Sequence, residues 1–354
     1  EVEQSLISKN ELLASFAISK AEDSQLTLGE AQDVYKLLIA DPAYDFMAKK
    51  LKMKQKLTQK DHDKLEFFNI AKAFRLLNQT PFSFKDLTPG LIADIHGQIT
   101  RGLDVFAKYL PDFTVYKAGV WRDNDLIRVG GYIPAPAEQI GSGVKELIAY
   151  VETHQSVTGV AVFHAALYAL HPFNNGNKRV CRILEHVLLR ALGLNGKNLY
   201  STSYYYHTQK KRYYKYLLYA LERKNLNHFV SFILEALALS IISVLKTSVE
   251  MGRNEYVRKH EPDETARIVL KPLIKRREQQ FKHLARVTRG KMARQTLVNA
   301  LQKAVEDDIL VRREDGKATY YRLNIVIPEY QTLERWIRLM HDRLPFIPDD
   351  IRLI

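Results

Sequence analysis

Apolar residues recur at three- and four-residue spacing over 30–40, 63–77, 89–101, 142–154, 159–170, 179–192, 210–223 and 226–246. That period puts one apolar stripe on each segment and predicts amphipathic helices packed as a bundle. Alternation suited to strands is rare in the first two-thirds of the chain. Its best example is 113–133, where Phe113, Val115 and Tyr116 precede WRDNDLIRVGGYIP. Gly130 and Gly131 loosen the backbone there, and Pro134 and Pro136 stop further pairing. The segment is expected to form a short β-hairpin or flap.

A different pattern starts near residue 247 with the charged stretch TSVEMGRNEYVRKHEPDETA. It is expected to be a linker helix and loop over 247–265. Residues 266–286 are expected to form one helix and 292–307 another, with Ala293, Leu297, Leu301 and Val305 inward. ILVRREDGKATYYRL suggests two strands around an Asp315-Gly316 turn. Helix, helix and β-wing over 266–325 describe a winged helix-turn-helix, a fold that serves either DNA or protein contacts. Residues 326–354 read as a C-terminal helical extension. The expected fold class is mainly α: a helical bundle over 1–246 with a short flap, plus a small winged-helix domain.

Composition narrows the classes. A chain of 354 residues with 46% apolar content can bury a full core. Its single cysteine, Cys181, excludes an intramolecular disulfide framework. No uncharged apolar run reaches the roughly 18 residues of a membrane span, and EVEQSLISKNELL lacks the basic start and apolar core of a signal peptide. A cytoplasmic protein without membrane attachment is expected. A formal charge of +13 suits nucleic acid, nucleotide phosphates or an acidic protein surface, and charge alone does not choose among them.

The chemistry concentrates in His171-Pro-Phe-Asn-Asn-Gly-Asn-Lys-Arg-Val-Cys-Arg182. Gly176 and Asn177 tolerate unusual backbone angles, so the loop can turn its amides inward at a helix start and cradle an anion. Arg179 and Arg182, three apart on one helix, could hold a polyphosphate with two guanidinium forks. His171, just before the loop, is placed to accept a proton from a hydroxyl.

These residues resemble the Fic-family signature HPFx(D/E)GNGRxxR, and the resemblance extends over roughly residues 10–240. It implies that His171 is a general base, that Phe173 anchors the loop and that Gly176 admits the anion. Asn177 would then support the phosphate site, and Arg179 and Arg182 would bind phosphates. Trp121-Arg122 and Tyr132-Ile133-Pro134 follow the family's flap, which pairs with a segment of the target protein. Lys211-Arg212-Tyr213-Tyr214 is similar to the family's Tyr-Tyr pair beside the nucleotide base, although core packing would also explain those tyrosines. By the same resemblance the substrates are ATP with Mg²⁺ and a Ser, Thr or Tyr hydroxyl of a partner protein.

Two departures stand out. Asn175 occupies the slot of the metal-binding acid, and a neutral amide is a weaker magnesium ligand, so metal would be held weakly or through the nucleotide's own phosphates. Lys178 replaces a glycine and resembles the kinase-like Doc branch. Near the N-terminus, ELLASFAISKAEDSQ aligns with the family's inhibitory helix, with Ser15 as its first hydroxyl and Ser19 in place of its glutamate. Lacking that carboxylate, the helix is expected to leave Arg182 free unless Glu22 substitutes. Three functions follow: protein adenylyl transfer, Doc-like phosphoryl transfer, or a degenerate nucleotide-binding module serving a DNA-binding regulator. A homodimer is compatible with each.

Overall fold

The computed structural model describes residues 2–22, 24–45, 47–260 and 263–343. Contacts divide the chain into two compact units, residues 3–240 and residues 241 onward.

The first unit is helical. Its elements are α1 (Val2–Ser19), α2 (Leu28–Ala40), α3 (Ala48–Lys52), α4 (Gln59–Gln79), α5 (Pro89–Ile99), α6 (Ile140–Thr153), α7 (Val157–Leu170), α8 (Asn177–Ala191), α9 (Thr202–Thr208), α10 (Lys210–Arg223) and the start of α11 (Asn227–His260). Several starts are written locally. Thr27 with Glu30 and Thr58 with Asp61 form capping boxes ahead of α2 and α4, and Thr88 caps α5 with Pro89 in its first turn. The pair α7 and α8 forms the centre, with α6 and α10 packed on α7 and α4 and α5 on α8. Burial on α8 runs almost all the way round, from Val180, Ile183 and Leu184 to Val187 and Leu188.

The strand expected at 113–116 is absent. Phe113 and Tyr116 instead pack with Met47, Leu57, Leu103 and Phe106, and the Tyr116 and Lys117 amides donate to the Asp104 carboxylate at 2.7 and 3.1 Å. A side chain satisfies the backbone where a second strand would have done so. The flap is reduced to one bridge, Val129 to Tyr132, with paired N–H···O contacts of 3.0 Å. Gly130 turns it at φ +61°.

The helix expected at the start of 247–265 is continuous with the one expected over 226–246, because α11 runs unbroken to His260. Charge does not interrupt a helix: Glu255 and Lys259 pair one turn apart at 2.9 Å, and Val249 and Val257 are buried. By length and composition α11 could cross a membrane, yet half of its apolar window is buried inside the protein. Its Glu235 is buried and bound to Arg212 at 2.7 Å.

In the second unit the single helix expected over 266–286 is broken. The segment forms α12 (Glu264–Leu270), a 3₁₀ turn over Lys271–Leu273, strand β1 (Gln279–Gln280) and α13 (Phe281–Thr288). Pro272 lacks the amide a continuing helix needs, and Lys275-Arg276-Arg277 places like charges together. Next come α14 (Arg294–Glu306), β2 (Leu310–Asp315), β3 (Ala318–Leu323) and α15 (Pro328–Arg343). The sheet has the order β1-β3-β2, antiparallel throughout, with Leu310 opposite Leu323 and Asp315 opposite Ala318. Leu297 and Leu301 of α14 point into the core with Leu273, Leu284 and Leu310. Ala293 is exposed as the residue before α14, and Val305 is half-buried. Part of the C-terminal extension, 344–354, lies outside the described residues.

Candidate active site

The helix α7 ends at Leu170, and His171 caps it in the left-handed region at φ +50°, ψ +61°. Pro172 follows and disfavours a further helical residue at 171. The His171 Nδ1 lies 3.2 Å from the Tyr168 carbonyl. A carbonyl only accepts, so Nδ1 carries the ring proton and Nε2 keeps its lone pair. Burial lowers the His171 pKa to about 4, opposed by the Tyr168 carbonyl and Glu22 and reinforced by Lys178 and Arg122. The ring is therefore neutral at physiological pH.

The loop after His171 is held from three sides. Asn177 spans it, accepting from the Phe173 amide at 3.0 Å and donating to the Phe173 carbonyl at 2.8 Å. Phe173 is fully buried, stacked on His96 at 3.7 Å between centroids and tilted against Trp121 at 4.7 Å. His96 accepts from the Gly119 amide through Nδ1 and donates to the Asn175 carbonyl through Nε2, both at 3.0 Å. Burial lowers its pKa to about 4, which fits one ring nitrogen acting as acceptor. Arg122 closes the third side. Its Nε donates to the His171 carbonyl at 2.8 Å, its Nη groups reach the Asn124 and Ala135 carbonyls, and its amide donates to the Pro172 carbonyl at 2.8 Å.

Gly176 turns the chain into α8 at φ +83°. A β-carbon there would meet the His96 ring at 3.3 Å, so both conformation and space require glycine. At any helix start the first amides lack an intrahelical acceptor, and those of Asn177 and Lys178 follow Gly176 directly. They border a cavity of about 280 Å³ lined by His171, Asn175, Lys178, Glu22, Arg128 and Tyr214, among others.

Residues 86–189 match the sequence model of the Fic/DOC family. The chain carries a Fic-family domain. Among solved structures, a Fic family protein from Desulfovibrio desulfuricans G20 is similar in fold, with a TM-score of 0.52 at 18% identity over 90% of this chain and 87% of that one. Residues 134–508 of Fic-1 from C. elegans give 0.48 at 17% identity, over 67% and 62%. A Fic domain containing signaling protein from Bacteroides thetaiotaomicron VPI-5482 gives 0.48 at 17%, over 70% and 90%. No curated protein matches the chain significantly.

The geometry corrects several residue assignments made from spacing and from the family resemblance. Arg179 and Arg182 are each 1% exposed, and neither lines the cavity. Arg179 is bound to buried Glu66 on α4 at 2.8 Å. Arg182 lies over the Tyr213 ring at 4.5 Å and the Tyr206 ring at 5.5 Å. It is also not free: its Nη1 donates to the Ala17 carbonyl at the end of α1 at 3.0 Å. Tyr213 is fully buried with its hydroxyl 3.0 Å from His164 Nε2, so only Tyr214 of the pair borders the cavity. Arg122 is a buried clamp on the loop and is not displayed for docking. The remaining flap residues differ in display: Trp121 and Tyr132 are half-buried and Ile133 is 64% exposed.

Ser15 and Ser19 are both fully buried on α1, and Ser19 donates back to the Phe16 carbonyl at 2.8 Å. Glu22 does not replace the missing carboxylate at Arg182. It enters the cavity 3.9 Å from Lys178 Nζ, while Lys178 also lies 5.0 Å over the Tyr214 ring. Arg128, His96 and Glu66 were not expected from the sequence. The adjacent Gly-Gly turn was the one signal for Arg128, and nothing local marks the other two.

The donor set does not suit a protein-held Mg²⁺. Asn175 Oδ1 already accepts from the Gly176 amide at 2.7 Å, and among the described residues Glu22 is the carboxylate that lines the cavity. No group of three or more His, Cys, Asp or Glu that could hold a metal occurs among the described residues.

Proposed function

We propose that the domain transfers AMP from ATP to a Ser, Thr or Tyr hydroxyl of a partner protein. The observation that carries this reading is His171: a neutral imidazole with its proton on Nδ1, set beside a helix start whose first residues line a cavity. In the step envisaged, the target oxygen attacks the α-phosphorus while Nε2 takes its proton. The bond from the α-phosphorus to the bridging oxygen breaks, and pyrophosphate leaves. The α8 amides, Lys178 and Arg128 supply the positive field for the phosphates. Exposed Leu126 and Ile133 in the flap, at 85% and 64%, offer an apolar edge to a target segment. Intact-mass spectrometry of a target, or of the protein itself, after incubation with ATP tests the proposal. An added AMP supports it, an added phosphate supports the Doc-like alternative, and no adduct on any hydroxyl-bearing substrate refutes both.

A regulatory role on DNA has its own support in the second unit. From Gln279 to Val305 the chain carries no Asp or Glu. Lys282, Arg286, Arg289, Lys291, Arg294 and Lys303 are all exposed along α13, α14 and the turn between them. Such a strip suits phosphate contacts from a winged helix. The strand arginines add less, because Arg312 pairs with Glu314 and Arg313 with Glu278. Fluorescence anisotropy on duplex DNA over a salt titration would reveal the steep loss of affinity that phosphate contacts produce. Binding indifferent to salt would exclude this role.

A further inference from the structure

The second unit holds a cavity of about 260 Å³ bounded by Arg253 of α11, Arg277 ahead of β1, Arg322 of β3, and Tyr330 and Glu334 of α15. Leu323, Ile325, Val326 and Ile327 supply an apolar wall, and Gln331 adds a neutral polar group. Gly252 permits this construction: a β-carbon there would meet Ile327 Cδ1 at 3.3 Å, so the absent side chain lets the 325–327 segment settle beside Arg253.

The charges are unbalanced. Three guanidiniums line the space with one carboxylate, Glu334, which already accepts from Arg277 at 2.9 Å and from the Tyr330 hydroxyl at 3.0 Å. Arg253 is 8% exposed. Its hydrogen bond is a long one, 3.4 Å to the Ile274 carbonyl, and its cation sits 5.4 Å over the Tyr330 ring that Arg277 also covers at 4.8 Å. Glu250 and Glu278 are near enough to influence Arg253 and Arg322 respectively, but Glu278 is bound to Arg313 and neither carboxylate lines the cavity. A buried cation is ordinarily paired, and Arg253 is the buried one of the three, with Arg322 half-buried and Arg277 exposed. A pocket that sets a buried guanidinium with two more accessible ones beside an aromatic ring and aliphatic side chains is built to be completed by an anion.

We propose that this cavity binds a small organic anion, a phosphate ester or carboxylate attached to a flat or aliphatic group. Arg253 and Arg322 would fork onto its oxygens, and the apolar part would lie against Ile325 and Ile327. The size suits a small metabolite rather than a peptide. Positioned between β3 and α15, an occupant would tie the sheet to the last helix and give the unit a chemical input.

Isothermal titration of the full chain with phenyl phosphate tests this, with inorganic phosphate and phenol as partial probes and ATP-free buffer throughout. Saturable binding of phenyl phosphate that exceeds that of either partial probe is expected, weakened at least tenfold by Arg253→Met and by Arg322→Met and persisting in Lys178→Met, which removes a cation from the other cavity. Circular dichroism and Arg253→Lys, which keeps the cation, guard against mere misfolding. The proposal is overturned if binding is undetectable at millimolar probe, if the two arginine variants bind as the parent does, or if Lys178→Met alone removes the heat.

Discussion

Arg182 Nη1 donates to the carbonyl oxygen of Ala17 at 3.0 Å, joining residues 165 apart in sequence. The contact draws a guanidinium away from the cavity and onto the C-terminal end of α1, where helix carbonyls lack partners and attract cations. Arg182 Nε is buried without a hydrogen-bond partner, so the arrangement satisfies this arginine incompletely. Helix α1 acts here through its backbone, in the absence of a carboxylate.

Loosening α1 should therefore release Arg182. Phe16→Ala, at a residue 7% exposed, is expected to raise ATP affinity several-fold while lowering overall stability by about 3–5 kcal/mol. Calorimetry checks the first and urea unfolding the second. Unchanged or weaker ATP binding in a folded variant would mean that the latch does not restrain the site.

His171→Ala should abolish transfer and leave nucleotide affinity within about threefold, because a base acts on the proton in the transition state. With the imidazole pKa near 4, the neutral and active form persists well below the range of an ordinary histidine. The pH profile of kcat/KM should be flat from pH 8 to about 5 and fall only below that. An acidic limb centred near 6.5 would contradict the burial assigned to this ring.

Three histidines with depressed pKa values should govern the acid stability of the fold. Burial lowers His96 and His171 to about 4 and His186 to about 3, below the ordinary histidine value of about 6.5. Above about pH 6.5 all three are neutral in folded and unfolded chains, and their contribution is fully present. As pH falls the unfolded chain takes up protons first, and stability declines by about 1.4 kcal/mol per pH unit for each histidine until its folded pKa is reached. Urea midpoints at pH 7.5, 6 and 5 measure the decline. His186→Gln should shallow it.

Arg179 and Glu66, each at most 2% exposed on the side chain and 2.8 Å apart, form a structural pair in this geometry. Glu66→Gln should cost about 3–5 kcal/mol by stranding a buried cation, whereas Glu66→Leu with Arg179→Met should cost much less. A double variant as unstable as the single one would mean that a stranded Arg179 cation is not the source of the cost.

Asn175→Asp should strengthen the magnesium response, since it brings a carboxylate to the anion-facing loop. The rate measured across a Mg²⁺ titration should rise for the variant and stay shallow for the parent. Identical titrations would place the metal, if used, entirely on the nucleotide.

What could be seen in sequence divides along physical lines. Apolar spacing located the helices because amphipathic burial is local, and the His171–Arg182 run was conspicuous because its residues are contiguous. Which face of α8 looks inward was not legible. Arg179 and Arg182 share a face by spacing, yet both faces of that helix are buried, and their partners Glu66 and Ala17 come from distant segments. Tyr213 and Tyr214 are adjacent and still point apart, one to His164 and one to the cavity. At 113–117 the strand pattern yielded to Asp104, whose carboxylate supplies what a neighbouring strand would have. The break near Pro272 was readable from that proline, whereas the continuation of α11 through a charged segment needed the burial of Val249 and Val257.

The left-handed backbone at His171 sets evolutionary and engineering pressure at one position. A side chain in that conformation costs roughly 1–2 kcal/mol that glycine would not incur, and helix ends of this kind usually carry glycine or asparagine. Selection for yield or heat resistance alone would thus favour His171→Gly, leaving a sturdier fold without an imidazole. Variant libraries of this domain sorted only by folding should enrich the very change that removes the imidazole from the cavity.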